Sequence, residues 1–198
     1  MNIYLASFVH VCHKEDPNLI QCMMASVEDI RPFLVDGVPE YHIPSLEPLR
    51  YGVSSVNLDD YVFSLSVDLP KLRIEAHYNV DGKLLVVPVK GSGNLVGTII
   101  DCKSKVRLQG ELYEKNGETY LRYTSFDLHV DVGGGSVRLE NLFNGDKILL
   151  EMINDVVNKN FHLFLKELMP IIENALSSVF LETANAIVES FTYGQLFP

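Results

Sequence analysis

The sequence predicts an α+β fold, in which a long curved antiparallel sheet rolls around a long C-terminal helix and a short helix precedes the sheet. Two observations carry this expectation. The middle of the chain alternates apolar and polar residues over unusually long limbs, and the C-terminal third carries an apolar stripe at helical spacing.

Turn signals fall at Asp81-Gly82, Gly91-Ser92-Gly93, Asn116-Gly117 and Gly133-Gly134-Gly135. Between Val96 and Leu112 one face reads Val96, Thr98, Ile100, Cys102, Ser104, Val106, Leu108, Gly110 and Leu112, and the other reads Gly97, Ile99, Asp101, Lys103, Lys105, Arg107, Gln109 and Glu111. A strand from Leu95 to Tyr113 would span about 60 Å at the usual rise, far beyond the common strand, so it must wrap around something. In "FSLSVDLPKLRIEAHYNV" the apolar parity is odd from Phe63 to Leu69 and even from Leu72 to Val80, with the switch at Pro70. A bulge there keeps one face inward while the strand bends; two strands joined by a proline turn are the alternative.

The object to be wrapped is the segment Phe161 to Phe191. Phe161, Leu165, Leu168, Ile172, Leu176, Val179 and Ile187 follow helical spacing, and the segment would make about 46 Å of helix, with a bend expected near Leu168 because Pro170 lies inside it. Its polar positions carry Glu167, Glu173, Glu182 and Glu189 against Lys166, the wrong sign for an anionic lipid surface.

At the other end, Asp16 can cap and Pro17 can open a helix running to about Val35 and stopping at Gly37. Three prolines in "DGVPEYHIPSLEPL", Asp36 to Leu49, then make a stiff extended strap that is neither helix nor sheet interior. Cys12 and Cys22 flank the start of the first helix. A bridge between them would pin the N-terminal arm; two unlinked buried thiols are the other reading.

Composition narrows the function. In 198 residues, 47% hydrophobic content suffices for a sizeable core. Sixteen basic against 26 acidic residues, with a pI near 5.0, leave no basic cluster for a polyanion, so nucleic acid is excluded as a partner. No apolar run reaches the length of a membrane-spanning helix. Catalytic signatures such as G-x-S-x-G, H-E-x-x-H and G-x-x-x-x-G-K are missing, and the six histidines are scattered, so no enzyme, cofactor or metal is expected. His10 and His13 beside Cys12 form an incomplete set for zinc.

The segments "DPNLIQC", "GVPEYHIPSLEPL", "LPKLRIEAHYNVDGKLLVVPVKGSGN", "GELYEKNGETY", "NLFNGDK" and "NKNFHLFLKELMPIIENALSSVF" resemble, in order, the signature segments of the takeout and juvenile hormone binding protein family of insects. The resemblance implies a TULIP-like super-roll spanning residues 1–198 as one domain, with an internal hydrophobic tunnel. It also implies secretion and a disulfide between Cys12 and Cys22. Two departures stand out. Arg50 and Tyr51 lead straight into "GVSSVNLDDYVFSLSVDLP", where the family usually has another hairpin, and Phe161 stands where members often have Trp. "LASFVHVC" resembles a mature N-terminus near Leu5, which would set Met1 to Tyr4 apart.

These readings converge on a monomeric carrier of an elongated hydrophobic molecule, such as a juvenile hormone-like terpenoid, a fatty acyl chain or another lipid. The expected ligand wall comprises Ile30, Phe33 and Leu34 from the first helix. From the sheet it takes Leu65, Val67, Ile74, Tyr78, Ile100, Cys102, Val106, Leu108, Phe126 and Leu128, and from the long helix Phe161, Leu165, Leu168, Ile172, Leu176 and Val179. A solid signalling module that meets a receptor through its acidic surface is the competing expectation.

Overall fold

The computed structural model describes residues 11–35, 50–84 and 87–198; the proline strap and Met1 to Tyr4 lie outside them. The order of elements is α1 (Leu19–Val35), β1 (Arg50–Asn57), β2 (Val62–Leu84), β3 (Val87–Lys115), β4 (Glu118–Leu139), α2 (Lys147–Lys159), α3 (Phe161–Val188) and α4 (Tyr193–Leu196). The strands form one sheet in the order β1-β2-β3-β4, an antiparallel meander followed by helices. The α+β class is as the sequence predicts.

The expected turn at Asn116-Gly117 joins β3 to β4, with both residues at positive φ, 56° and 80°. Tyr113 and Tyr120 stack across the base of this hairpin, ring centroids 5.8 Å apart. The other three glycine clusters are corrected by the structure, because they lie inside strands. At Gly91-Ser92-Gly93 and Gly133-Gly134-Gly135 the role is close approach, whereas a Cβ on Gly82 would meet nothing within 4 Å. A Cβ on Gly93 would sit 2.1 Å from the Glu140 carbonyl oxygen, one on Gly133 2.7 Å from Cβ of Asp101, and one on Gly135 2.3 Å from the Thr98 carbonyl oxygen.

β2 runs unbroken through Pro70, so the proline turn is not formed. Leu69 and Leu72, three positions apart, pack on the same cluster, as the parity switch requires. A second switch was not visible in the sequence. Asp101 adopts φ 52°, and the inward set changes from Ile99 before it to Cys102, Val106 and Leu108 after it. Helix α2 was also unassigned from sequence. Its N-cap is Asp146, whose side chain accepts from the N–H groups of Ile148 and Leu149.

The chain divides into two compact units, to both of which β2, β3, β4 and α3 contribute. One unit comprises residues 1–68, 104–129 and 174–198. Its core is Phe63, Val106, Leu108 and Leu121, with Tyr61, Leu65, Tyr123, Phe126, Leu128, Tyr193 and Phe197 packed against them. The N-terminal arm is tied into this unit by the disulfide between Cys12 and Cys22. The other unit comprises residues 69–103 and 130–173. Its core includes Val89, Ile99, Cys102, Val137, Leu142, Ile153, Val157, Phe161, Phe164 and Leu165.

In each unit a helix is fastened to β4 by asparagine amides. Asn185 of α3 accepts from the Tyr123 N–H at 2.7 Å and donates to its carbonyl at 2.9 Å. Asn158 and Asn154 of α2 do the same for Val137 and Leu139. Each amide supplies the donor and acceptor that a neighbouring strand would otherwise present.

Candidate ligand-binding site

Apolar side chains from the sheet and from α3 define the candidate site, and each unit holds its own share of the expected wall. In the unit built on Phe63, the structure gathers Leu65, Val106, Leu108, Phe126 and Leu128. Val106 and Leu108 are closed core, whereas Leu65, Phe126 and Leu128 are half-buried. Phe126 meets Phe180 of α3 with ring centroids 5.5 Å apart. Leu176 and Val179, on the same stretch of helix, are accessible, at 37% and 56%. Val67 is half-buried in β2, opposite Tyr51 of β1.

Tyr123 belongs to this gathering although the sequence did not single it out. Its ring stands edge-on to Phe63, centroids 5.7 Å apart and planes at 84°. Its backbone is held by Asn185. Burial pushes its phenol up to about 12. The only available signal was its place on the alternating face of β4, two residues on from Leu121.

In the second unit, Cys102, Phe161 and Leu165 are closed core, with Ile74, Tyr78 and Leu168 packed against them. The Phe161 ring lies over Gly135, so close that its Cζ is 2.8 Å from where a Cβ would stand. Tyr78 donates its hydroxyl to the Glu140 carbonyl oxygen. Its pKa is raised, first by burial and then by the Glu140 charge.

Ile172 is accessible, at 37%. Ile100 departs from expectation: the bulge at Asp101 turns it away from the core, Ile99 is buried in its place, and Ile100 lies against Gly134. The side chains of Ile30, Phe33 and Leu34 lie outside the described residues.

Charge is confined to the outside. Among the described residues Asn154 is the sole buried polar or charged residue, and the ion pairs Arg122–Glu111 and Arg138–Glu151 sit in solvent. The interiors therefore suit apolar groups and penalise ions.

The chain matches the family described as Haemolymph juvenile hormone binding protein (JHBP) over residues 3–55 and 53–198. It belongs to that family. Among relatives of this JHBP chain, the circadian clock-controlled protein daywake of Drosophila melanogaster is 25% identical over 215 residues, covering 89% of this chain and 83% of the relative. A putative beta-carotene-binding protein of Schistocerca gregaria is 25% identical over 221 residues, covering 96% and 88%. The crystal structure of Epiphyas postvittana Takeout 1 matches with a TM-score of 0.75 at 17% identity, covering 96% of this chain and 99% of that one. The JHBP chain thus shares the Takeout fold, a TULIP-like α+β architecture. No helix among its described residues is long and apolar enough to cross a membrane.

Proposed function

We propose that this protein is a secreted, non-enzymatic carrier that holds an elongated hydrophobic small molecule, a terpenoid, fatty acyl or other lipid, in an internal tunnel. The observation that carries this reading is the row of accessible apolar residues at helical spacing along α3 in the Phe63 unit: Leu176, Val179, Phe180 and Ile187. A long helix that leaves so much apolar surface uncovered is suited to an apolar ligand. Burial of a chain gains about 0.8 kcal/mol per CH₂, which is ample without many polar contacts. The Schistocerca relative's name, putative beta-carotene-binding protein, points to the same ligand chemistry. The Cys12–Cys22 disulfide fits an oxidising, extracellular setting.

A solid module acting through a receptor is the second reading. Its support is the tight closure of Val106, Leu108, Cys102, Phe161 and Leu165, all expected as ligand wall. Native mass spectrometry of the purified protein, followed by extraction, separates the two. A co-purifying lipid, or binding of a fluorescent apolar probe after delipidation, supports the carrier; an empty protein that binds no apolar probe supports the module.

A further inference from the structure

We propose that the outer face of α2 is a reversible docking surface for a zwitterionic phospholipid bilayer, with Ile148, Leu149 and Met152 entering the headgroup region. The proposal goes beyond the carrier reading and does not rest on it, because none of the three belongs to the expected ligand wall.

The second unit does not use these side chains to close its core. Ile153 and Val157 are the buried apolar residues of α2, and Asn154 and Asn158 hold the helix to β4. Ile148, Leu149 and Met152 turn outward instead, with 82%, 38% and 51% of their surface exposed. Met152 lies four positions from Ile148 and three from Leu149, so the three form one patch on the first two turns. By the same spacing Ile148 stands beside Glu151, and Met152 beside Asp155.

Charge and area decide what covers the patch. Residues 69–103 and 130–173 carry nine of the 16 basic and ten of the 26 acidic residues, so this unit is close to neutral and the chain's net charge of −10 resides almost wholly in the other. The acidic groups around the patch are compensated within the protein: Glu151 pairs with Arg138 at 2.6 Å, Asp155 pairs with Lys159 at 2.8 Å, and Asp146 caps the helix. Arg138 also lines, with Thr98, Ser136 and Asn158, a groove of about 320 Å³. The exposed Arg138–Glu151 pair offers one charge of each sign, which complements the phosphate and the ammonium of a zwitterionic headgroup. An anionic surface would repel the chain as a whole. Three side chains are too few for a second copy or a folded partner, because a stable protein interface engages about 20 to 30 residues a side. A bilayer closes around a few inserted apolar groups and leaves their charged neighbours in water.

The test uses the delipidated full chain and flotation with phosphatidylcholine vesicles. Unmodified protein is expected to float with them, and the double variant Ile148→Ser/Met152→Ser, checked for folding by its thermal midpoint, should bind at least about tenfold more weakly, the worth of one large apolar side chain withdrawn from lipid. The chain has no tryptophan, so Met152→Trp supplies a single reporter, whose emission should shift to the blue on vesicles and be quenched by brominated phosphatidylcholine. If the double variant does not fold, this reporter decides. Unmodified protein that does not float, equal flotation of the double variant, or a reporter that vesicles leave unshifted overturns the proposal. Tighter binding to vesicles containing phosphatidylserine overturns the zwitterionic class. A dimer of the unmodified protein that the double variant dissociates assigns the patch to a second copy of the chain and overturns the bilayer. Binding of the apolar probe diphenylhexatriene, measured without vesicles, should be the same in both proteins; its failure in both removes the carrier reading and leaves this docking surface in place.

Discussion

The side chain of Asn154 makes two hydrogen bonds with the backbone of Leu139, accepting from its N–H at 2.8 Å and donating to its carbonyl at 3.0 Å. Asn154 is 5% exposed, so neither backbone group has water to turn to when the amide is removed. Asn154→Leu should therefore lower stability by about 2 to 4 kcal/mol, the cost of stranding a donor and an acceptor. Asn158→Leu, at an exposed position, should cost less. Urea denaturation of the two variants side by side checks the ranking, and equal costs would mean that α2 does not depend on these bonds.

The disulfide between Cys12 and Cys22 closes a loop with a sequence separation of 10. Loop-closure entropy assigns such a bridge about 2 to 3 kcal/mol, so reduction should lower the denaturation midpoint accordingly. Thiol titration of the unfolded, unreduced chain should find one reactive group, Cys102, which takes no part in the disulfide and is buried in the native protein. Three titrating thiols would show that the purified chain lacks the bridge.

Gly135 lies beneath the ring of Phe161 and against the Thr98 carbonyl. Gly135→Ala should cost about 1 to 3 kcal/mol through overpacking, because the backbone oxygen at 2.3 Å cannot step aside. Adding Phe161→Leu should relieve only the part due to the ring. A fully restored midpoint in the double variant would show that β3 yields more easily than this packing implies.

The elements legible in the sequence were those with a strong local signal. Alternation marked the long strands, helical spacing marked α3, and Asn116-Gly117 marked its hairpin. Local signals failed where a distant backbone sets the requirement. Gly93 and Gly135 read as turn residues, yet each is needed because Glu140 or Thr98 comes too near for a Cβ. The bulge at Asp101 carries no proline, so nothing announced that Ile99 rather than Ile100 would be buried. Asn154, Asn158 and Asn185 read as ordinary polar helix positions, because their partners are strand backbones 15, 21 and 62 residues away. Tyr123 likewise carries no local mark, because residues that enclose its ring, Phe63 among them, come from other elements.

At alkaline pH, Tyr123 sets a sign. Its phenol is raised by burial to about 12 from an ordinary value of 10.0. As pH rises past 10 the unfolded chain releases this proton first, so stability is intact below pH 10 and falls on the way to about 12. A shift of this size corresponds to at most about 2 to 3 kcal/mol. Tyr78 and Tyr193 shift in the same direction, so Tyr123→Phe should remove only part of the loss. Denaturation midpoints at pH 9 and pH 11.5 decide it: identical losses in both proteins would mean that Tyr123 ionises freely in the folded state.

Val106 and Val179 separate closed core from candidate ligand wall within one unit. Both were expected to face the ligand, but Val106 is 7% exposed and Val179 is 56% exposed. Tryptophan at either position adds the same bulk, so only the surroundings differ. Val106→Trp has to force the ring into a cluster that already holds Phe63, Leu108 and Leu121, and should cost about 1 to 3 kcal/mol or more. Val179→Trp has open space and should leave the thermal midpoint of the delipidated protein nearly unchanged. If the accessible stripe of α3 is ligand wall, the new ring occupies volume that the ligand needs, and diphenylhexatriene binding should weaken severalfold in Val179→Trp. Normal probe binding in a well-folded Val179→Trp protein would remove this part of α3 from the site and leave the exposed stripe to some other use.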